Sequence, residues 1–345
     1  MLEHGGKVRR AAQEFDIPLQ DWLDLSTGLN PQSWPLPTIA KDAWTRLPEE
    51  EDELNEAAKN YYGTQCVLPV AGSQAAIQAL PRLYAQLRKN SRIGILDPTY
   101  AEHAHAWRTS GFEVTTLAAS EIDDNIETLD VLIIVNPNNP SGEVFTSKQL
   151  LAWHQSLLAR DGWLIIDEAF MDPTPKNSLA QHAHKNGLII LRSLGKFFGL
   201  AGARVGFVLA APALLDQLAE TLGPWNISGP ARVVAQAALQ DTSWQQKTRQ
   251  RLIKDEKRLT QLLTNNGLTP SGGTALFQWL KTPQARKFHL QLARQGILTR
   301  LFQEPSSIRF GLPGDEQQWR RLEQGLNNIH SIQPDQNYLQ ETLVR

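Results

Sequence analysis

The chain has 345 residues, 41% hydrophobic and 20% charged, with a net charge of -2; that length exceeds what one hydrophobic core usually holds, so two domains are expected. Such a balance leaves no basic footprint for nucleic acid or an anionic membrane, and no apolar run approaches the ~20 residues of a membrane helix. A single cysteine, Cys66, excludes an internal disulfide and fits a reducing cytoplasm, and no charged-then-apolar leader opens the sequence.

Strand-like apolar runs alternate with helical patterns from about residue 63 to 208, which predicts a mainly parallel sheet with helices on both faces. The first motif, VAGSQAAI at 70–77, reads as a loop opening a helix. Unpaired amides and the positive dipole end make such a start an anion site, so Gly72, Ser73 and Gln74 are candidate anion contacts. The run 93–96 then leads into Asp97-Pro98-Thr99-Tyr100. The run 131–135 ends in NPNNPSG, whose prolines stiffen a turn that neither helix nor strand accommodates.

WLII at 163–166 has the look of a buried parallel strand, and Asp167 follows it. A carboxylate at the carboxyl end of such a strand faces the crevice where open α/β sheets bind ligands. Next comes LIILRSLGKFFGLAGARVGFV at 188–208, a strand running into a glycine-rich turn that holds Lys196 and Arg204 together. A lysine reacts as a nucleophile only as the free amine, which desolvation by Phe197, Phe198 and Leu200 or a nearby cation favours. The planar fork of Arg204 suits a phosphate. The link from the first strand of this segment to the next, near 203–210, is too short for a helical crossover, so that strand is expected to run antiparallel.

From Trp244 the pattern becomes a long charged amphipathic helix with Leu252, Leu259, Leu262 and Leu263 on one side, stopping at Gly267. Short strands are expected at 275–280, 297–300 and 307–311, alternating with helices such as 284–294. A last helix, about 315–329, aligns Trp319, Leu322, Leu326 and Ile329. The tail after Gln333 is polar and expected to be loosely held.

Each motif alone also fits an ordinary turn, cap or core residue; their conjunction in this order resembles the class I/II aminotransferases, the fold-type I pyridoxal 5′-phosphate enzymes. The resemblance implies a large domain over 46–225 with a seven-stranded, mainly parallel sheet, and a smaller α+β domain from 1–45 and 226–345. It implies that Lys196 bonds the cofactor aldehyde, that Asp167 pairs with the pyridine nitrogen, and that Asn139 meets the phenolic oxygen. Tyr100 would cover the ring, and Gly72, Ser73, Gln74, Ser193 and Arg204 would hold the phosphate. Three positions depart from the pattern: Phe170 where many relatives carry tyrosine, Gly195 where serine is frequent, and Leu47 where several use a tyrosine reaching into the partner subunit. A homodimer is implied by the family, and no metal site is expected.

For substrate, IRFGLP at 308–313 resembles the strand whose arginine pairs with a substrate α-carboxylate, which points to Arg309. The segment around Arg300 resembles one that directs an arginine at a substrate phosphate in histidinol-phosphate aminotransferases and their relatives. The opening HGG at 4–6 and WLDLSTGLNP at 22–31 resemble the threonine-phosphate decarboxylases of cobalamin synthesis, adding His4 and Asn30 as candidate substrate contacts. The expectation is therefore decarboxylation of L-threonine O-3-phosphate to 1-amino-2-propanol phosphate. The alternatives are an aminotransferase acting on histidinol phosphate or a similar substrate, and a fold relative that has lost catalysis and serves as a binding module.

Overall fold

The computed structural model describes residues 2–331; the polar tail expected after Gln333 lies outside them. The described residues divide into two compact units, one built on Leu29–Asp255 with Gly272–Leu276, the other on Glu3–Gly28, Glu256–Ser271 and the described chain from Phe277.

The first unit is organised by strands β1 (Leu68–Val70), β2 (Ile93–Leu96), β3 (Val114–Leu117), β4 (Val131–Val135), β5 (Trp163–Asp167), β6 (Leu188–Ser193) and β7 (Gly206–Ala210). They form one sheet in the order β1-β7-β6-β5-β4-β2-β3. All neighbours pair parallel except β7, which is antiparallel to both β6 and β1. Every residue of β2, β4, β5 and β7 is buried. That is why these strands read as unbroken apolar runs: a sheet covered by helices on both faces has no solvent side on which to place polar residues. One core cluster gathers Ile95, Ile133, Ile165 and Ile189 from the middle strands, with Leu80 and Tyr84 of helix Ser73–Leu87 and Trp107 of helix Ala101–Thr109. The helix Ser147–Leu158 starts at a reciprocal cap, in which Thr146 Oγ1 accepts from the Gln149 amide and Gln149 Oε1 accepts from the Thr146 amide.

In the second unit, β8 (Phe277–Lys281), β9 (Arg300–Phe302) and β10 (Ser307–Gly311) pair antiparallel in the order β9-β10-β8. Leu23–Asp24 pairs in parallel with Ile297–Leu298. The helices Ala285–Ala293 and Glu316–Ser331 pack on one another.

The strand and helix expectations hold, including the reversed β7, except that the strand expected at 297–300 divides into Ile297–Leu298 and Arg300–Phe302 in separate sheets; the division between units also falls elsewhere than 45/46 and 225/226. Residues 29–34 belong to the first unit because their amides bond the Lys196 loop. The helix Gly229–Gln240 does so because it packs on helix Leu54–Tyr62, with Arg232 paired to both carboxylate oxygens of Asp52 at 2.6 Å.

Candidate cofactor and anion sites

The carboxyl ends of the central parallel strands deliver polar residues to one edge of the sheet. Asp167 ends β5 opposite Val135 and Leu191, and the Asn136 amide donates to the Asp167 carbonyl. Ser193 ends β6. The Asp167 carboxylate is buried, with Oδ1 accepting from the Ala169 amide at 3.0 Å and Oδ2 2.9 Å from His103 Nε2. His103 is itself buried and meets Tyr100 edge-on at 6.0 Å. A buried carboxylate with two fixed partners is suited to hold a proton at a ring nitrogen. No motif in the sequence singles out His103. Its signal is its place three residues after Tyr100 on the helix Ala101–Thr109, one helical step along the same face.

Around the helix that starts at Ser73 the backbone is shaped to leave room for an anion. Gly72 has φ +73 and ψ 155, a region for glycine alone, and a Cβ there would stand 2.7 Å from Arg204 Nη2. A Cβ on Gly206 would stand 2.5 Å from the Ser73 amide nitrogen. The helix start has no side-chain cap, so its first amides and the guanidinium of Arg204 form a cradle that any β-carbon would fill. Ser193 Oγ lies beside it, accepting from the Gly195 amide at 3.3 Å. Gln74 joins only through its backbone, since its side chain donates to Glu102 at 2.8 Å and accepts from Tyr100 Oη at 3.3 Å. Burial pushes the Tyr100 phenol up to about 12, with Glu102 adding to the shift, so it is neutral near pH 7.

In the NPNNPSG turn, Asn136 exchanges two hydrogen bonds with the backbone of Phe145, and Asn138 is held by Thr99, Pro98 and Ser141. Those two asparagines build the turn, while Asn139 is half-buried at its tip. Lys196 is half-buried, its Nζ 5.5 Å from the Phe170 ring centroid. The phenylalanine thus gives the amine an aromatic face in place of a hydroxyl. Gly195 packs tightly, its would-be Cβ 3.1 Å from Ala201 Cα. Leu47 is 65% exposed.

Behind the lysine loop lies a buried ionic network that no sequence motif announces. Arg192 on β6 pairs with Glu168 at 2.7 Å and with Asp172, and Tyr61 donates to Asp172 at 2.9 Å. Burial raises the Glu168 carboxyl against the opposing pull of Arg192. Its trace in sequence is an arginine inside the otherwise apolar run LIILRS.

In the second unit, Arg300 and Arg309 face each other across the β9-β10 ladder. Like charges directly opposite on paired strands are destabilising, which makes the pair a candidate anion contact. Arg309 is buried against the Phe277 ring, 4.8 Å from its centroid, and donates to the Ser26 carbonyl at 3.0 Å. Burial and then Arg300 lower its pKa, against the pull of Asp24. Arg300 donates to the Glu3 carbonyl at 2.6 Å. It lines a cavity of about 770 Å3 together with His4, Lys7, Arg10, Arg286 and His289. Asn30 is the exception among the expected substrate contacts. In the first unit its side-chain amide donates to the Phe197 carbonyl and its oxygen accepts from Arg251 and the Gln32 amide.

An amine, a buried carboxylate, a side-chain amide and a cationic helix start match the aldehyde, ring nitrogen, phenolic oxygen and phosphate of pyridoxal phosphate in turn. The chain belongs to the aminotransferase class I and II family, whose model matches residues 36–326. Within that family it is similar to a threonine-phosphate decarboxylase of Pseudomonas aeruginosa, 56% identical over 94% of this chain and 97% of the relative. It is 40% identical to a threonine-phosphate decarboxylase of a Sinorhizobium species, over 94% and 97% of the two chains. Among solved structures, the histidinol-phosphate aminotransferase of Clostridium acetobutylicum superposes with TM-score 0.80 at 22% identity, covering 90% of this chain and all of that one. This last likeness is one of fold. No helix among the described residues is long and apolar enough to cross a membrane.

Proposed function

We propose that this chain is a pyridoxal phosphate enzyme that decarboxylates L-threonine O-3-phosphate to (R)-1-amino-2-propanol O-2-phosphate in cobalamin synthesis. The observation that carries the reading is the near full-length identity to the Pseudomonas threonine-phosphate decarboxylase. Pyridoxal phosphate, when bound, supplies a cationic ring that accepts the electron pair released at the substrate Cα. Asp167 would hold the proton at the ring nitrogen, and His103 keeps that carboxylate in place. Arg204, Ser193 and the backbone at Gly72, Ser73 and Gln74 would take the cofactor phosphate, Asn139 would donate to the phenolic oxygen, and Tyr100 would cover the ring.

Reaction choice belongs to the anion contacts. Whatever fixes the substrate's rotation about Cα would select the bond that breaks. Arg300 with His4 would take the substrate phosphate and Arg309 would pair with the carboxylate, so these contacts would set that rotation. Lys196 would donate the proton that takes the place of the lost carboxylate at Cα. The opposed arginines on β9 and β10 support a doubly anionic substrate.

We also assign a cytoplasmic homodimer. The first unit leaves Leu36, Trp44, Leu47 and Trp225 more than half exposed, apolar surface that a second copy would cover. Sedimentation should give twice 38.6 kDa.

The test of function is incubation with threonine phosphate, with and without 2-oxoglutarate. Carbon dioxide release independent of 2-oxoglutarate is expected; glutamate formed without carbon dioxide would replace the decarboxylase by an aminotransferase. Borohydride reduction of the holoprotein followed by peptide mass mapping should place the cofactor's added mass on Lys196.

A further inference from the structure

We propose that Arg251 is a positioning residue for Lys196, acting through Asn30 as a polar latch between the helix Thr242–Asn265 and the lysine loop. The proposal rests on Lys196 being the reacting amine. Its geometry is independent of the substrate.

The segment 29–34 lies across the lysine loop and is bonded to it at three successive carbonyls. The Asn30 amide donates to the Lys196 carbonyl at 2.9 Å, the Asn30 side chain to the Phe197 carbonyl at 2.8 Å, and the Trp34 amide to the Phe198 carbonyl at 2.8 Å. The approach is close enough that a Cβ on Gly199, whose φ is +67, would stand 2.6 Å from the Asn30 carbonyl oxygen. A segment this close to the loop sets where the Lys196 backbone sits and therefore where its amine can reach.

What fixes that segment is Asn30, which is 3% exposed. Its Oδ1 accepts from Arg251 Nη2 at 2.7 Å and from the Gln32 amide at 3.1 Å. Those two bonds fill both acceptor positions of the amide oxygen, which orients the side chain so that its nitrogen faces Phe197. Arg251 is held in turn by Asp255, one turn along the helix, at 3.1 Å from the other terminal nitrogen. Arginine spans both partners with two separate nitrogens; a lysine ammonium is a single point and cannot keep both geometries.

The same helix grips the loop by apolar contact as well. Trp244 stacks on Phe198 with centroids 5.6 Å apart and meets Phe197 edge-on at 5.5 Å, and the Arg249 guanidinium lies 5.2 Å from the Phe197 centroid. Aromatic contacts fix the loop's distance from the helix but tolerate sliding. The Arg251-Asn30-Phe197 chain is directional, and it removes that freedom. Reaction rate is sensitive to displacement of this size, since a shift of about 1 Å at a reacting group can cost on the order of a hundredfold.

The experiment compares Arg251→Met, Arg251→Lys, Asn30→Ala and the Arg251→Met/Asn30→Ala pair with wild-type holoenzyme. Leu252→Ala on the same helix serves as a matched destabilised control. Hydrogen exchange is followed on peptides covering 29–35 and 194–200, and kcat and KM are measured with threonine phosphate. Arg251→Met should speed exchange in both peptides and lower kcat by about tenfold or more with KM within about twofold. Arg251→Lys should fall between it and wild type, and it carries the test if Arg251→Met does not fold. The double variant should be no worse than the worse single one, because the two residues act as one unit. Leu252→Ala should lower Tm while leaving loop exchange and kcat unchanged. Wild-type exchange and kcat in the Arg251 variants, or additive losses in the pair, would overturn the latch. A cofactor mass mapped away from Lys196 would instead overturn the site assignment, whatever the exchange shows.

Discussion

Gly72→Ala puts a single methyl group into the cradle at the start of helix Ser73–Leu87, and its cost can be worked from two independent features. The backbone at φ +73 and ψ 155 lies in a region essentially closed to other residues, so alanine there costs about 1–3 kcal/mol of stability. The new Cβ would stand 2.7 Å from Arg204 Nη2, so the guanidinium must move. If Arg204 donates to the cofactor phosphate, that movement loses a charge-assisted hydrogen bond of about 1.5–3 kcal/mol, or roughly 10- to 150-fold in Kd. Titrating the apoprotein with pyridoxal phosphate and, separately, with pyridoxal measures this by absorbance. Gly72→Ala should weaken the first and leave the second within about twofold, and Arg204→Met should not add to it, since both act on one contact. Unchanged affinity for pyridoxal phosphate, or equal losses for both ligands, would refute the cradle.

Three further outcomes follow from the same geometry. His103→Leu removes a hydrogen bond to the Asp167 carboxylate worth about 1.5–3 kcal/mol, so kcat should fall at least tenfold, with His103→Gln milder; a kcat within twofold of wild type would mean that the Ala169 amide alone holds Asp167. Arg192→Met strands the buried carboxylates of Glu168 and Asp172 and should cost about 3–5 kcal/mol in urea unfolding, partly recovered by adding Glu168→Gln; a loss under about 1 kcal/mol would contradict the network. Burial lowers the pKa of His154, whose Nε2 is 2.8 Å from the Asn186 carbonyl. Its contribution to stability is therefore intact above the unfolded value of about 6.5 and lost as pH falls through the folded value. His154→Gln should flatten the fall in Tm between about pH 7.5 and 5, and an unaltered slope would assign that acid sensitivity elsewhere.

Local chemistry makes much of the site legible in the amino-acid sequence. Asp167 ends a buried strand, Asn139 and Lys196 lie in the turns that follow two others, and Arg204 comes just before the reversed strand β7, so chain position alone puts all four at the carboxyl edge where open α/β sheets bind ligands. Gly72 is readable for a similar reason, because a glycine before a helix start is a local fact of backbone conformation. His103, Arg192 and Arg251 are not. Each works through a partner far away in sequence, Asp167, Glu168 and Asn30 respectively, and a lone histidine or arginine carries no mark of which distant group it will meet. Asn30 shows the converse, since a motif marks it and only the structure shows its bonds to Phe197 and Arg251.

By itself the sequence determined the mainly parallel sheet with its one reversed strand, while the two arginines of the second unit were legible only through the family resemblance of their segments. The strands depend on apolar run length and loop length, which neighbouring residues settle among themselves. Only the tertiary structure decided where the units divide, what holds the Asp167 carboxylate, and which helix fixes the lysine loop. Such questions turn on hydrogen bonds and packing between segments separated by dozens or hundreds of residues, and those pairings exist only once the chain has closed on itself.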